Sequence, residues 1–328
     1  MGFSRRELLL AAAAAPLAGT ALGRSAWAAD YPTREITTIC PFEAGSGADI
    51  WVRYYADELS KLCGKPVIID NKPGAQGTIA TTQLAHSRPD GYTISITPAS
   101  STLATVAHLF KHLAFDPLKD FDEIATIASL SFVFAVDPSS PVKNPQELTA
   151  YLKKKGNKAR FGENSNTGLV AAELYKQRAG LTEMQRVQYK AVSDMARDLA
   201  GGQLDFISID ATWLIGQVRA GKMRAVALTS KRGSSSYPDV PTLDKSGFPG
   251  FDITPWWGVI VPHGVPAPIE KKLADWFNQI VASKKTKEFL ARVAADPLPG
   301  DPESFRKLLI SETDAWGKYV KLANIPTL

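Results

Sequence analysis

Residues 41–49 read PFEAGSGAD and sit between an apolar run at 36–40 and a helical pattern in which Val52, Tyr55, Ala56 and Leu59 share one face. A strand that feeds small residues into a helix N-terminus makes an anion cradle. The first backbone N–H groups of a helix lack intrahelical partners and carry the positive end of its dipole, so they hold carboxylate or phosphate without a basic side chain. Glycine lets the main chain approach such a ligand. A second polar, small-residue loop, ENSNTG at 163–168, lies between a predicted strand at 159–162 and a predicted helix at 169–179. Two ligand classes use loops of this kind: nucleotides inside cells and small organic anions outside them.

The elements that must position these loops alternate in type. Short β-branched or apolar runs at 36–40, 67–70, 92–97, 132–136, 206–209, 225–229 and 256–261 read as strands. Amphipathic stretches at 49–62, 77–86, 145–155, 195–199, 267–294 and 302–321 read as helices. This is an α/β pattern. About 300 residues beyond the N-terminal segment exceed one typical core and suggest two lobes, each with a strand-loop-helix unit facing a shared cleft.

The N-terminus chooses between the ligand classes. Residues 1–28 read as an export signal: Arg5 and Arg6, an apolar stretch from Leu8 to Leu22, then the small-x-small site Ala26-Trp27-Ala28, with removal near Ala28. The paired arginines resemble a twin-arginine signal, with an ordinary secretory signal as the alternative. Pro16, Gly19 and Gly23 interrupt the segment, which argues against a retained membrane anchor. The full-length net charge is +5; losing Arg5, Arg6 and Arg24 against Glu7 with the signal, a net of +2, leaves +3. So mild a surplus, without long Lys/Arg runs, is no nucleic-acid footprint.

Other chemistry finds little support. A serine hydrolase needs a nucleophile beside a base and an acid, yet the GxSxG elbow is missing and no histidine falls in a predicted cleft loop. Gly45 and Gly47 supply only half of GxGxxG, with Ile50 at the third position, and export would separate the chain from a nicotinamide. His86, His108, His112 and His263 are scattered, so neither a metal nor another cofactor is expected. Cys40 and Cys63 fall at opposite ends of the first unit and read as free thiols, a bridge being the alternative.

Six segments resemble a known family. PFEAGSGAD (41–49), NKPGAQGTIA (71–80), PDGYT (89–93), FDPLKDF (115–121), YPDVPTLDKSGFPGF (237–251) and WWG (256–258) are similar, in order, to the substrate-binding proteins of tripartite tricarboxylate transporters, the Bug receptors. The resemblance implies a two-lobed periplasmic binding protein of type II-like α/β fold, each lobe a sheet flanked by helices. Lobe 1 would be 29–130 plus 255–328 and lobe 2 would be 131–254. It implies a monomeric, non-enzymatic receptor that holds a small carboxylate in the cleft and delivers it to membrane permease subunits. An exported sensor signalling to a membrane partner is the alternative. Carried over, the ligand contacts are Phe42, Ala44, Gly45, Ser46 and Asp49, with Gln76 and Gly77, from the first lobe. From the second they are Asn164, Ser165, Thr167 and Gly168, with Tyr189, Ala191 and Asp210.

Departures from the family pattern concentrate in the second loop. Glu163 stands beside an anion cradle, where like charges at ~4 Å repel by ~4 kcal/mol at an effective dielectric of about 20. It therefore points outward, pairs with a positive group, or meets an amine on the ligand, a role Asp49 could share. Asp49 is equally suited to capping its helix. The competing ligand is an aromatic or apolar acid, with Phe42 and one tryptophan as its wall. Trp256 and Trp257 alternate along one strand, so one faces the core and the other can reach the cleft.

Overall fold

The computed structural model describes residues 30–327, and the predicted signal at 1–28 lies outside the described residues. β1 (Ile36–Cys40) runs through the 41–46 loop into α1 (Gly47–Cys63). Ser46 caps α1 by accepting from the Asp49 N–H at 3.2 Å, and Gly64 ends it in the left-handed region at φ 69°. Trp51, Val52, Tyr55, Ala56 and Leu59 recur at helical spacing and are all buried, so one face seats α1 on its lobe. Then come β2 (Val67–Asn71), α2 (Thr78–Ala85), β3 (Thr93–Thr97), a π-helical turn at Ser100–Thr105, α3 (Val106–Leu109) and β4 (Phe121–Leu130).

A second run follows: β5 (Phe132–Val136), α4 (Pro145–Lys155), β6 (Arg160–Glu163), α5 (Asn166–Arg178), β7 (Gln185–Gln188), α6 (Val192–Ala200), β8 (Phe206–Asp210), α7 (Ala211–Arg219) and β9 (Arg224–Leu228). The chain ends with β10 (Trp256–Pro262), α8 (Ala267–Ala282), α9 (Lys284–Arg292), β11 (Ala295–Gly300) and α10 (Pro302–Leu322).

These strands form two mixed sheets, ordered β11-β4-β10-β3-β1-β2 and β7-β6-β8-β5-β9. Each holds a parallel trio, β2-β1-β3 in one and β7-β6-β8 in the other. Parallel strands deliver their carboxyl ends to one edge, and ligands of open α/β sheets bind beyond that edge. The loops at 41–46, 72–77 and 98–101 therefore collect on one lobe, and those starting at Asn164, Tyr189 and Ala211 on the other.

The two sheets are joined by very little chain. Ser131 alone separates β4 from β5, and the chain returns through the irregular residues 253–255 before β10. Thr229 stitches the crossing: its hydroxyl donates to the Ile253 carbonyl (2.8 Å) and accepts from the Phe132 N–H (3.0 Å), while Leu130 N–H donates to Pro255 (3.1 Å). Two short parallel connections are hinge geometry.

Some elements escaped the sequence. β4, the longest strand among the described residues, places Asp122 and Glu123 after Phe121 and intersperses Ala, Thr and Ser among its apolar residues, so it lacks a β-branched apolar run. β7, α7, β11 and the π-helical turn were also unpredicted. The helix expected over 267–294 breaks at Ser283, which takes an extended conformation and caps α9 by accepting from Thr286 N–H at 3.1 Å.

Both cysteines are free. Cys40 is fully buried, and burial pushes its thiol up to about 12, whereas Cys63 is half-buried. An alkylating reagent at about pH 8 should label Cys63 in the native protein and spare Cys40 until unfolding, because only the thiolate reacts and only when reached. Peptide mass spectrometry reads this, and equal labelling of both would contradict the burial.

Candidate functional site

Three helix N-termini converge between the lobes. α1 is capped by Ser46, α5 by Ser165, which accepts from Gly168 N–H at 3.2 Å, and α7 by Asp210, which accepts from Trp213 N–H at 2.8 Å. All three capping side chains line one cavity, together with Gly47, Ala48 and Thr167 from the first turns of α1 and α5. Its volume is about 40 Å³, on a measure where one water needs about 10–15 Å³. Phe42, Trp51, Trp257, Phe132 and Leu130 supply apolar walls, and Ser101 and Asn164 add polar groups. Trp51 and Trp257 stack at 4.9 Å, while Trp256 turns to the other face and packs edge-on against Phe305 at 5.0 Å. Among the described residues, Asp210 is the one charged side chain lining the cavity.

An outer chamber of about 260 Å³ adjoins it, sharing Phe42 and Asn164 as a wall. Gln76, Gly77 and Tyr189 line it. Gln76 holds a left-handed backbone (φ 54°), uncommon for a residue with a β-carbon, and both polar atoms of its amide are buried without a protein partner. Buried amides are nearly always satisfied, so this one is poised for a water or a ligand. Direct bonds cross the cleft. Asn166 Nδ2 donates to Ser101 O at 3.0 Å, and Trp51 Nε1 donates to Thr212 Oγ1 at 2.8 Å.

Phe42, Ser46, Asn164, Ser165, Thr167 and Asp210 thus meet at the inner cavity, and Gln76, Gly77 and Tyr189 at the outer chamber. Six expected contacts stand elsewhere. Ala44 and Gly45 occupy the exposed outer bend of their loop. Asp49 is buried inside lobe 1, where it accepts from Gly45 N–H (2.8 Å), Arg53 Nε (2.7 Å) and Asn71 Nδ2 (3.0 Å); it shapes the loop, and Ser46 is the cap. The Asp49 carboxyl is held below its usual range: those donors outweigh the largest single influence, burial, which raises it.

Glu163 is fully buried and engaged twice over. Arg186 donates to its Oε1 from Nε (2.9 Å) and Nη2 (2.6 Å), and Ser165 N–H donates to Oε2 (2.9 Å). It fixes the second loop from behind, so neither Glu163 nor Asp49 is free to meet a ligand amine. Gly168 packs under Ser208 O, where an added Cβ would lie 2.8 Å from that oxygen, and Ala191 precedes α6 away from both chambers.

Sequence reasoning missed Trp51, Pro98, Ser101, Leu130 and Phe132, all of which line the inner cavity. Pro98 and Ser101 had a usable signal, since they follow the carboxyl end of a predicted parallel strand. Leu130 and Phe132 had none, because they flank a crossing that exists only once both sheets are built.

Asp210 is half-buried as a residue and lines the inner cavity. Burial pushes its carboxyl up to about 6, partly offset by the N–H groups of Trp213 and Thr212. Tyr237, whose hydroxyl donates to Ala211 O at 3.0 Å, is pushed up by burial first and then by the Asp210 carboxylate, with Arg219 opposing.

Two α/β lobes joined by a narrow double crossing, with helix N-termini meeting in the cleft, define a solute-binding protein of the two-lobed periplasmic type. Comparison identifies the family. Residues 51–325 match the profile of the tripartite tricarboxylate transporter family receptor, and the chain belongs to that family. Among solved structures, it is similar to R. palustris Rpa4515 with adipate (29% identity, TM-score 0.86, covering 91% of this chain and 100% of that one). It is likewise similar to the periplasmic binding protein BugD (28%, TM-score 0.85, 91% and 100%). A third is MatC from Rhodopseudomonas palustris with bound malate (25%, TM-score 0.82, 88% and 100%).

Proposed function

We propose that this chain is a periplasmic, non-enzymatic receptor that captures a small organic carboxylate between its lobes and presents it to the membrane subunits of a tripartite tricarboxylate-type transporter. Lobe 1 comprises 29–130 and 255–328, and lobe 2 comprises 131–254. The observation that carries the reading is the meeting of three capped helix N-termini in one interlobe cavity whose lining has no basic side chain. Partial positive charge from backbone N–H groups suits a carboxylate, and the solved relatives hold adipate and malate. Ser46, Asn164, Ser165 and Thr167 contact the solute with Phe42 and Asp210 at the inner cavity, and Gln76, Gly77 and Tyr189 close the outer chamber. The apolar walls favour an acid with a nonpolar body over an amino acid.

The mature chain should be melted with benzoate, hexanoate, adipate, malate and glutamate. A bound acid at 100 times its Kd stabilises by about 2.7 kcal/mol, visible as a rise in Tm. Small-angle scattering with the best acid should show a smaller radius of gyration. If no acid raises Tm, and denatured protein releases no organic acid to mass spectrometry, the receptor reading falls.

A further inference from the structure

We propose that Asp210 makes this receptor take up its solute together with one proton, the buried side chain binding as a neutral acid that donates a hydrogen bond to the solute's carboxylate. The inference deepens the carboxylate-receptor reading and rests on it. On that reading a carboxylate enters the same small cavity as Asp210, and among the described residues no Lys, Arg or His lines that cavity to offset two negative charges; Lys190 and Glu43 line the adjoining outer chamber instead. The lobes meet at this point. A β-carbon on Gly47 of α1 would lie 2.7 Å from Asp210 Cγ, so the closed cleft brings the Asp210 carboxyl against lobe 1 and away from bulk water.

The groups around Asp210 are as neutral as its cavity. α7 contributes the N–H groups of Trp213 and Thr212; Tyr237 binds Ala211 O; and α1 contributes Gly47 and Trp51, the latter bonded to Thr212. Asp49, the nearest acid of α1 in sequence, is turned to Arg53 and Asn71 instead. With the cleft closed, and before any solute carboxylate is added, burial already pushes the carboxyl up to about 6, against 3.8 when unperturbed. A second carboxylate beside it raises it further, as when two acids share one proton. The proton comes from solvent, and no covalent bond forms or breaks.

The sign follows by linkage. Asp210 is more acidic in the open, solvated cleft than in the complex, so binding takes up a proton. Affinity is greatest below the open-state value and falls up to about tenfold per pH unit until the complex's own value is passed. A capping role alone would leave affinity flat.

The test uses the acid that stabilises the mature chain most among benzoate, hexanoate, adipate, malate and glutamate. Titration calorimetry at about pH 5.5 and about pH 7, in two buffers of different ionisation enthalpy, should show close to one proton taken up per acid at the lower pH and affinity about tenfold weaker at the higher. Asp210→Asn keeps a good helix cap and donates without a proton, so its affinity should not vary with pH and should exceed wild type about tenfold at about pH 7. Zero proton uptake by wild type overturns the inference while leaving the receptor reading intact. So does a clear preference for glutamate that Asp210→Asn abolishes, since Asp210 is then an ionised partner for an amine. If none of the five binds at either pH, an organic acid released by the denatured protein takes their place in the titration; if none is released, the receptor reading fails and takes the inference with it. Should Asp210→Asn not fold, the wild-type proton count decides alone.

Discussion

Gly47→Ala should weaken solute binding by about 5- to 150-fold while leaving the stability of the lobes unchanged or slightly higher. A methyl group there points straight at Asp210, its carbon 2.7 Å from Cγ and 2.8 Å from Oδ2, and Asp210 is held in place by its bond to Trp213 N–H. Gly47 starts α1 of one lobe and Asp210 ends β8 of the other, so the collision is relieved by opening the cleft. Overpacking of this kind costs about 1–3 kcal/mol, and every 1.4 kcal/mol is tenfold in affinity. Gly47 is the first residue of α1 and needs no left-handed backbone, so alanine is locally welcome in the open form. Calorimetry with a carboxylate found to bind wild type, plus scattering to follow closure, measures this. Wild-type affinity in Gly47→Ala would show that the lobes do not close as described.

Arg186→Met should lower unfolding stability by about 3 kcal/mol, the low end of the usual cost of breaking a buried ion pair because Arg186 is 24% exposed while Glu163 is 0% exposed. The loss arises from Glu163, left charged or forced to protonate with no water to replace the guanidinium. The damage reaches the site, since Glu163 also fixes the Ser165 N–H and therefore the cap of α5. Glu163→Leu combined with Arg186→Met should recover at least half of the stability, because it removes the stranded charge. Urea melts of the single and double variants give the comparison. A single variant within about 0.5 kcal/mol of wild type would mean that the pair does not stabilise the fold.

Much of this was legible from the chain. The periodicity placed β1, α4 and β5 at their observed bounds, and the six segments carried the family. The small residues at 41–49 and 163–168 do flank a common cavity. At the site, the reading of Glu163 as paired with a positive group matches its bonds to Arg186, whereas the roles it left open for Glu163 and Asp49 toward a ligand amine do not match their partners. Asp49 and Glu163 face inward; Arg53, four residues from Asp49, was a local signal for this, whereas Asn71 at 22 residues and Arg186 at 23 residues are beyond the reach of local pattern.

Sequence by itself determined the alternation of strands and helices and the small residues that let backbone N–H groups reach a ligand, because these depend on neighbours a few residues apart. Only the tertiary structure decided which carboxylate meets the cavity. Asp49 and Glu163 sit on the two loops that looked most like the site, yet each is satisfied within its own lobe. Asp210 lies 163 residues from Gly47 and reaches the cleft because α7 points its N-terminus across it. Where charge ends up is set by which buried groups find partners: Asp49 and Glu163 find theirs within their own lobes, and Asp210 does not find a cation among the described residues.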